Sequence, residues 1–387
     1  MIRPVYHLLI LPASFLVGAA SLAAPAPGPG ALRAAVQPFV DRGTLAGAVM
    51  LVATADRVLD VEAVGFSDVG AHEPMKADAL FWIASQSKPI TATALMMLVD
   101  EGKVNPDDPV EKYLPEFKGQ MVVVEHDSEH LLLRKPNHPI VLHEVLSHTS
   151  GLPFSSPMEQ PTLDLLPLRD AVRSYALVPL QFEPGTQYQY SNAGINTAAR
   201  VLEVVTGIPY ERFMEERLFK PLGMRDTTFR PGNRQLKRIA KSYRPAASGG
   251  SLEGTTVTQL KYPLNDSQRQ PMPAGGLFST AHDVGRFCQM ILNGGILDGH
   301  RYLTESAVKR MTRKQTGDAI KDGYGFGWAV GTTWCGHGGA YSTDMMIDRE
   351  HGLILVWLVQ HAGYPGDGRN SHAAFKAAAL ETFARHN

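Results

Sequence analysis

Apolar residues at Leu32, Ala35, Val36, Phe39 and Val40 recur at the 3.6-residue period of an amphipathic helix, which the chain ends near Gly43. Two β-rich runs follow, 47–53 and 58–64, and the short polar turn between them predicts a hairpin. Near the other end, 327–334, 340–347 and 353–360 are strand candidates, the last two split by Asp348-Arg349-Glu350-His351-Gly352. A final helix sets Phe375, Ala379 and Phe383 on one stripe. Strands at both ends with helical periodicity between them predict an α/β (α+β) fold, in which a sheet built from the two chain termini carries an inserted, mostly helical unit. The expected division gives 31–80 and 277–387 to the sheet unit and 81–276 to the helical one. Inside the latter, Ile90 to Val99 is an apolar helical run, and 191–206 reads as a helix closed by Gly207. Two stretches look inserted. Residues 121–142 alternate apolar and charged positions, as a hairpin would. Residues 242–273 are polar, rich in Gly, Ser, Gln and Pro, and suited to border or cover a site.

The 387 residues leave room for a substantial core, and 44% hydrophobic with 19% charged residues describe an ordinary globular chain. A net charge of −1 provides no field for nucleic acid or an anionic membrane, so the expected partner is a small molecule. The first residues read as a secretory leader: Arg3 and His7 precede an apolar stretch from Leu8 to Leu22, and Ser21-Leu22-Ala23 supplies small residues for cleavage after Ala23. Residues 1–23 are therefore expected to be removed and 24–30 to form a Pro/Gly linker. Pro12, Gly18 and a length that barely spans a bilayer argue against a stable membrane anchor. The mature protein is expected to be exported, periplasmic or extracellular. Two cysteines, Cys288 and Cys335, are expected as buried thiols more than as a bridge, since a chain this long needs no staple.

The chemistry sits in three short motifs. Ser85 and Lys88, in Ser85-Gln86-Ser87-Lys88-Pro89, place a hydroxyl and an amine one turn apart where a helix begins. A serine hydroxyl needs a base at the moment of attack, and a desolvated lysine near a helix N-terminus is one. Pro89 fits if the helix starts near Ser85, because first-turn N–H groups have no helical acceptor. Tyr190-Ser191-Asn192 adds a phenol that can relay protons and an amide with both donor and acceptor. His337-Gly338-Gly339 then places a ring beside two residues without side chains, where substrate can lie against a strand, and Ala340 N–H pairs with Ser85 N–H as an oxyanion hole.

About one accidental Ser-x-x-Lys is expected in this composition. Ser306 to Lys309 is such a copy, set among Arg310, Arg313 and Lys314 as on a solvated helix face. His361-Ala362-Gly363 repeats the His-x-Gly pattern but closes a strand. Histidines 126, 130, 138, 143 and 148 crowd one segment, yet His143 and His148 are five apart and do not share a helix face, so no metal is expected. No phosphate loop, dinucleotide fingerprint or Gly-x-Ser-x-Gly elbow occurs.

With these motifs in order, the chain from about residue 31 onward resembles the serine β-lactamase and penicillin-binding-protein superfamily, for which Ser-x-x-Lys is a signature. It is most similar to the branch of class C β-lactamases, family VIII carboxylesterases, D-aminopeptidases and D-alanyl-D-alanine carboxypeptidases with His-x-Gly. Supporting stretches are Asp107 to Pro115, Leu146 to Pro153, Ala274 to Thr280 and Gly336 to Ala340. The resemblance implies a mainly antiparallel sheet flanked by helices, acylation of Ser85, Lys88 and Tyr190 as the base system, Asn192 on the substrate side and no cofactor. One departure bears on substrate. The β-lactamases of this branch usually carry Lys-Thr-Gly where this chain has His337-Gly338-Gly339, and an unperturbed histidine is only about one quarter protonated at pH 7. Esters, or D-residue peptides and amides, are therefore expected ahead of efficient β-lactam hydrolysis, with carboxylester hydrolysis leading. A binding module or sensor that turns over nothing is the rival class. Oligomeric state is not legible.

Overall fold

The computed structural model describes residues 30–384. The expected leader lies outside the described residues, as does all of the expected linker but Gly30.

Helix α1 (Ala31–Asp41) leads into strands β1 (Gly47–Ala53) and β2 (Val58–Asp68) and a short edge strand β3 (Glu73–Pro74). The other strands of the main sheet come from the far end of the chain: β4 (Ala329–Val330), β5 (Trp334–Gly338), β6 (Asp344–Asp348) and β7 (Leu353–Leu358). Their spatial order is β4-β5-β6-β7-β1-β2-β3, antiparallel throughout. The two chain ends meet where β1 lies beside β7, with Val49 opposite Leu358 and Ala53 opposite Ile354.

The sheet is buried on both faces, so β1 is apolar at every position instead of alternating. Its period-2 geometry nevertheless sorts its side chains. Met50 and Val52 join Leu355 and Trp357 beneath α1 and the last helix, α7 (Asn370–Phe383). Val49, Leu51 and Ala53 face the opposite way, toward helix α6 (Ala281–Leu292) and the main core. Glu62 on β2 closes the start of α1 by accepting from the N–H groups of Gly30 and Arg33, both at 2.6 Å.

Beyond the sheet, helix α2 (Ser87–Asp100) is buried on almost every side from Ser87 to Leu98. Helices α3 (Leu142–Ser147) and α4 (Leu168–Ala176) pack with α2 around α5 (Asn192–Thr206). Ser191 caps α5 through Gly194 N–H at 3.0 Å, which leaves Asn192 as its first residue instead of its cap. At Gly194 a Cβ would sit 2.6 Å from the Val145 carbonyl, so only glycine lets α3 approach this closely.

The expected insertions are both ordered. Val122–His126 and Leu131–Arg134 pair as the predicted hairpin. In 242–273, Ser242–Pro245 pairs with Leu252–Thr255, and Val257, Leu260 and Leu264 then pack on Trp82, Ala84 and Phe278. Two boundaries move from their predicted positions. The strand candidates 327–334 and 340–347 resolve into β4, β5 and β6, with a turn over 339–343, so His337 lies within a strand and not ahead of one. Short strands interrupted by Gly327, Gly331, Gly336 and Gly338 leave no period-2 run to read. The helix expected to start near Ser85 instead begins at Ser87, preceded by a 3-10 turn over Ala84–Gln86. Cys288 and Cys335 are free, buried thiols.

Candidate active site

Ser85 occupies the middle of the 3-10 turn and is half-buried, open to solvent on one side. Ala84 before it has φ +47°, a conformation that L-residues adopt only when their surroundings impose it. The Ser87 hydroxyl imposes it here by donating to the Ala84 carbonyl at 2.6 Å, and the apolar residues of 257–264 pack against it.

One turn on, Lys88 is wholly buried. Its Nζ donates to Asn192 Oδ1 at 2.7 Å and to the Ala274 carbonyl at 2.8 Å, lies 3.1 Å from Ser85 Oγ, and stands 4.5 Å from the centre of the Tyr190 ring. Burial holds the amine well below its usual range. No carboxylate is among these partners, so no ion pair opposes that shift. A neutral amine 3.1 Å from a hydroxyl is a base within reach of its proton.

Tyr190 is half-buried. Burial pushes its phenol up, with a hydrogen bond to Ser85 working against that shift, so the group keeps its proton at neutral pH. Of the two members of the expected base system, Lys88 is the one shifted toward the form of a base. Asn192 gives its amide oxygen to Lys88, and its backbone N–H donates to the Phe154 carbonyl at 2.9 Å.

The strand β5 brings in His337, with Gly338, Gly339 and Ala340 following. A Cβ on Gly339 would lie 2.6 Å from the Ile83 carbonyl, so the absence of a side chain lets this segment close against the turn that carries Ser85. Gly339 N–H is bonded to the Thr343 carbonyl at 2.7 Å, whereas Gly338 and Ala340 are exposed.

His337 has both ring nitrogens engaged inside the protein. Nδ1 donates to the Gly338 carbonyl at 2.7 Å, which makes Nε2 the bare nitrogen of the neutral ring. Nε2 accepts from the Tyr324 hydroxyl at 2.9 Å, with the Tyr190 hydroxyl at 3.5 Å. Burial, with the nearby Lys88 second, pushes the imidazole down to about 4, so it is neutral at physiological pH. The two decoys are elsewhere: Ser306 and Lys309 are exposed, with Lys309 paired to Glu305, and His361 stacks on Tyr364 while accepting from Ala46 N–H.

The structure thus assembles Ser85, Lys88, Tyr190, Asn192 and His337, and adds three groups that the motifs do not name. The Ala274 carbonyl anchors Lys88. Tyr324 binds His337. His148, buried behind them, accepts from Ser191 N–H at 3.2 Å and packs its ring 4.6 Å from Tyr190 and 4.5 Å from Tyr324. A signal for Tyr324 does exist in Tyr324-Gly325-Phe326-Gly327. A Cβ at Gly327 (φ +75°) would meet the Lys88 carbonyl at 2.8 Å, and one at Gly325 the Met311 carbonyl at 2.2 Å. Closely spaced glycines here mark backbone drawn tight against the helix that bears Lys88.

A family model described as Beta-lactamase matches residues 32–379. The chain belongs to the beta-lactamase family. Within this family it is 30% identical over 399 residues to Esterase EstB of Burkholderia gladioli, covering 92% of this chain and 94% of that one. It is 31% identical over 374 residues to Protein Rv1367c of Mycobacterium tuberculosis (strain ATCC 25618 / H37Rv), covering 85% and 89%. Among solved structures, EstCE1, described as a hydrolase with promiscuous acyltransferase activity, shares the fold with a TM-score of 0.74 at 24% identity, covering 90% of this chain and 97% of that one. This beta-lactamase-family chain is a serine hydrolase.

Proposed function

We propose that the protein hydrolyses uncharged carboxylic esters through an acyl intermediate on Ser85. As Ser85 Oγ bonds to the substrate carbonyl carbon, its proton passes to neutral Lys88 Nζ. The carbonyl oxygen, now anionic, is held by the N–H groups of Ser85 and Ala340. When the tetrahedral centre collapses, the ester C–O bond breaks. The leaving alkoxide takes the Tyr190 proton, which the Lys88 ammonium replaces, so the base returns to its neutral state. Water then attacks the acyl-serine by the reverse relay and releases the acid. Asn192 keeps Lys88 aligned through its Oδ1, and its amide nitrogen is a donor for substrate.

The observation that carries the ester reading is His337, neutral and with both nitrogens already engaged. A lysine in that position would offer a substrate carboxylate a charge-assisted hydrogen bond of about 1.5–3 kcal/mol, against about 0.5–1.5 for a neutral one. His337 offers neither without first breaking an internal bond.

The test uses a matched pair, p-nitrophenyl butyrate and p-nitrophenyl hemisuccinate, which differ in a terminal carboxylate, alongside nitrocefin and a D-alanyl peptide. The kcat/KM for the butyrate is expected to exceed that for the hemisuccinate by at least about tenfold. Equal or reversed values, or a D-alanyl peptide as the best substrate, would overturn the ester assignment.

A further inference from the structure

We propose that Tyr324 is a positioning residue that occupies His337 Nε2 and thereby leaves the Tyr190 proton free for the Ser85 side of the site. The inference rests on the acyl-serine reading above.

A neutral imidazole has one bare nitrogen with a single in-plane lone pair. In His337 that nitrogen is Nε2, because Nδ1 is committed to the Gly338 carbonyl. Two phenols compete for it. Tyr324 is 2.9 Å away, an ordinary hydrogen bond, and Tyr190 is 3.5 Å away, at the limit of one. Tyr324 is buried, its ring 4.5 Å from His148 and 5.7 Å from Tyr188, so it is held in place on several sides. Tyr190 is half-buried and also reaches Ser85.

The function of the Tyr324 hydroxyl follows from that competition. While it fills Nε2, Tyr190 gains little by turning toward His337, which leaves its O–H free to serve Ser85 and the leaving group. Without it, Nε2 is a buried acceptor left with only the long contact to Tyr190, which costs free energy until a donor comes closer. Tyr190 is the nearest donor, and a shift of about half an ångström completes the bond. The relay phenol would then be diverted to a nitrogen that does not take part in the reaction.

The experiment is a double-mutant cycle on p-nitrophenyl butyrate turnover. Tyr324→Phe keeps the ring and removes the hydroxyl; it is expected to lower kcat at least about tenfold, a fraction of the share usual for a proton-transfer group, with KM within about twofold. His337→Asn keeps a donor for the Gly338 carbonyl and removes the ring nitrogen for which the two phenols compete. In that background Tyr324→Phe is expected to change kcat by less than about twofold. Equal losses in both backgrounds would make Tyr324 merely structural and overturn the inference, as would a wild-type kcat for Tyr324→Phe.

A measurement on the unaltered protein needs no variant to fold: ¹⁵N NMR of His337 is expected to show Nδ1 protonated and Nε2 bare, and a proton on Nε2 overturns the inference. Ser85→Ala in the same assay separates the two layers. Its inactivity leaves a failure of the cycle to count against Tyr324 alone, whereas wild-type turnover by Ser85→Ala would overturn the acyl-serine reading and this inference with it.

Discussion

Lys88→Ala lowers kcat/KM for p-nitrophenyl butyrate by at least about a hundredfold, the smaller end of what a proton-transfer group contributes. The effect follows from the protonation states of the two candidate bases. Burial holds the Lys88 amine low and pushes the Tyr190 phenol high, so the amine is shifted toward its proton-accepting form and the phenol away from it. The sign of the pH dependence follows too. Acidification protonates the amine and removes the base, so wild-type kcat/KM falls on the acid side. Tyr190→Phe is expected to lose at least about a hundredfold as well, yet to keep that acid limb, because Lys88 remains. Lys88→Ala loses the limb along with the rate. A pH profile of all three proteins checks this: an acid limb that survives in Lys88→Ala and vanishes in Tyr190→Phe would reassign the base to the tyrosine.

Asp164→Ala is expected to destabilise the fold by about 3–5 kcal/mol and to lower activity without touching substrate. Asp164 and Arg269 form an ion pair at 2.7 Å with side-chain exposures of 0% and 1%, so neither charge has water to fall back on. Both partners make further hydrogen bonds. Asp164 also accepts from Lys261 N–H and Thr162 Oγ1, while Arg269 donates to the carbonyls of Phe229 and Leu264. Removing the carboxylate leaves a buried guanidinium without its counter-charge. The pair also holds 261–270, just ahead of Pro273, whose carbonyl bonds Thr91, and Ala274, whose carbonyl bonds Lys88. Scanning calorimetry should show a Tm lowered by ~5–10 °C. The double variant Asp164→Ala with Arg269→Met should recover much of that loss, since replacing both charges removes the uncompensated one. No change in Tm for Asp164→Ala would contradict this account of the pair.

Much of the architecture is legible because it rests on local periodicity. The stripe on α1, the β1–β2 hairpin, the Gly207 end of α5 and the inserted hairpin each express a pattern within one short window. The reacting residues are legible for another reason: Ser85 with Lys88, and Tyr190 with Asn192, are each joined by fewer than four residues of backbone. What sequence does not carry is contact across the fold. Asp164 and Arg269 are 105 positions apart, and Ala274 reaches Lys88 by its carbonyl, which no side-chain motif announces. His337 can be picked out by its glycines, but its charge state cannot. An unperturbed ring would be partly protonated, and only burial with Tyr324 on Nε2 and the Gly338 carbonyl on Nδ1 makes it neutral and occupied. That local environment turns a plausible anion contact into an argument for uncharged substrates.

The central claim is a covalent bond to one oxygen, and peptide mass spectrometry after a rapid acid quench of the protein mixed with p-nitrophenyl butyrate reads it directly. The account predicts a butyryl group on Ser85 that builds up in the first turnover, decays as substrate is exhausted and is missing from Ser85→Ala, which has no esterase activity. An acyl group on a different residue, or undiminished turnover by Ser85→Ala, would contradict it.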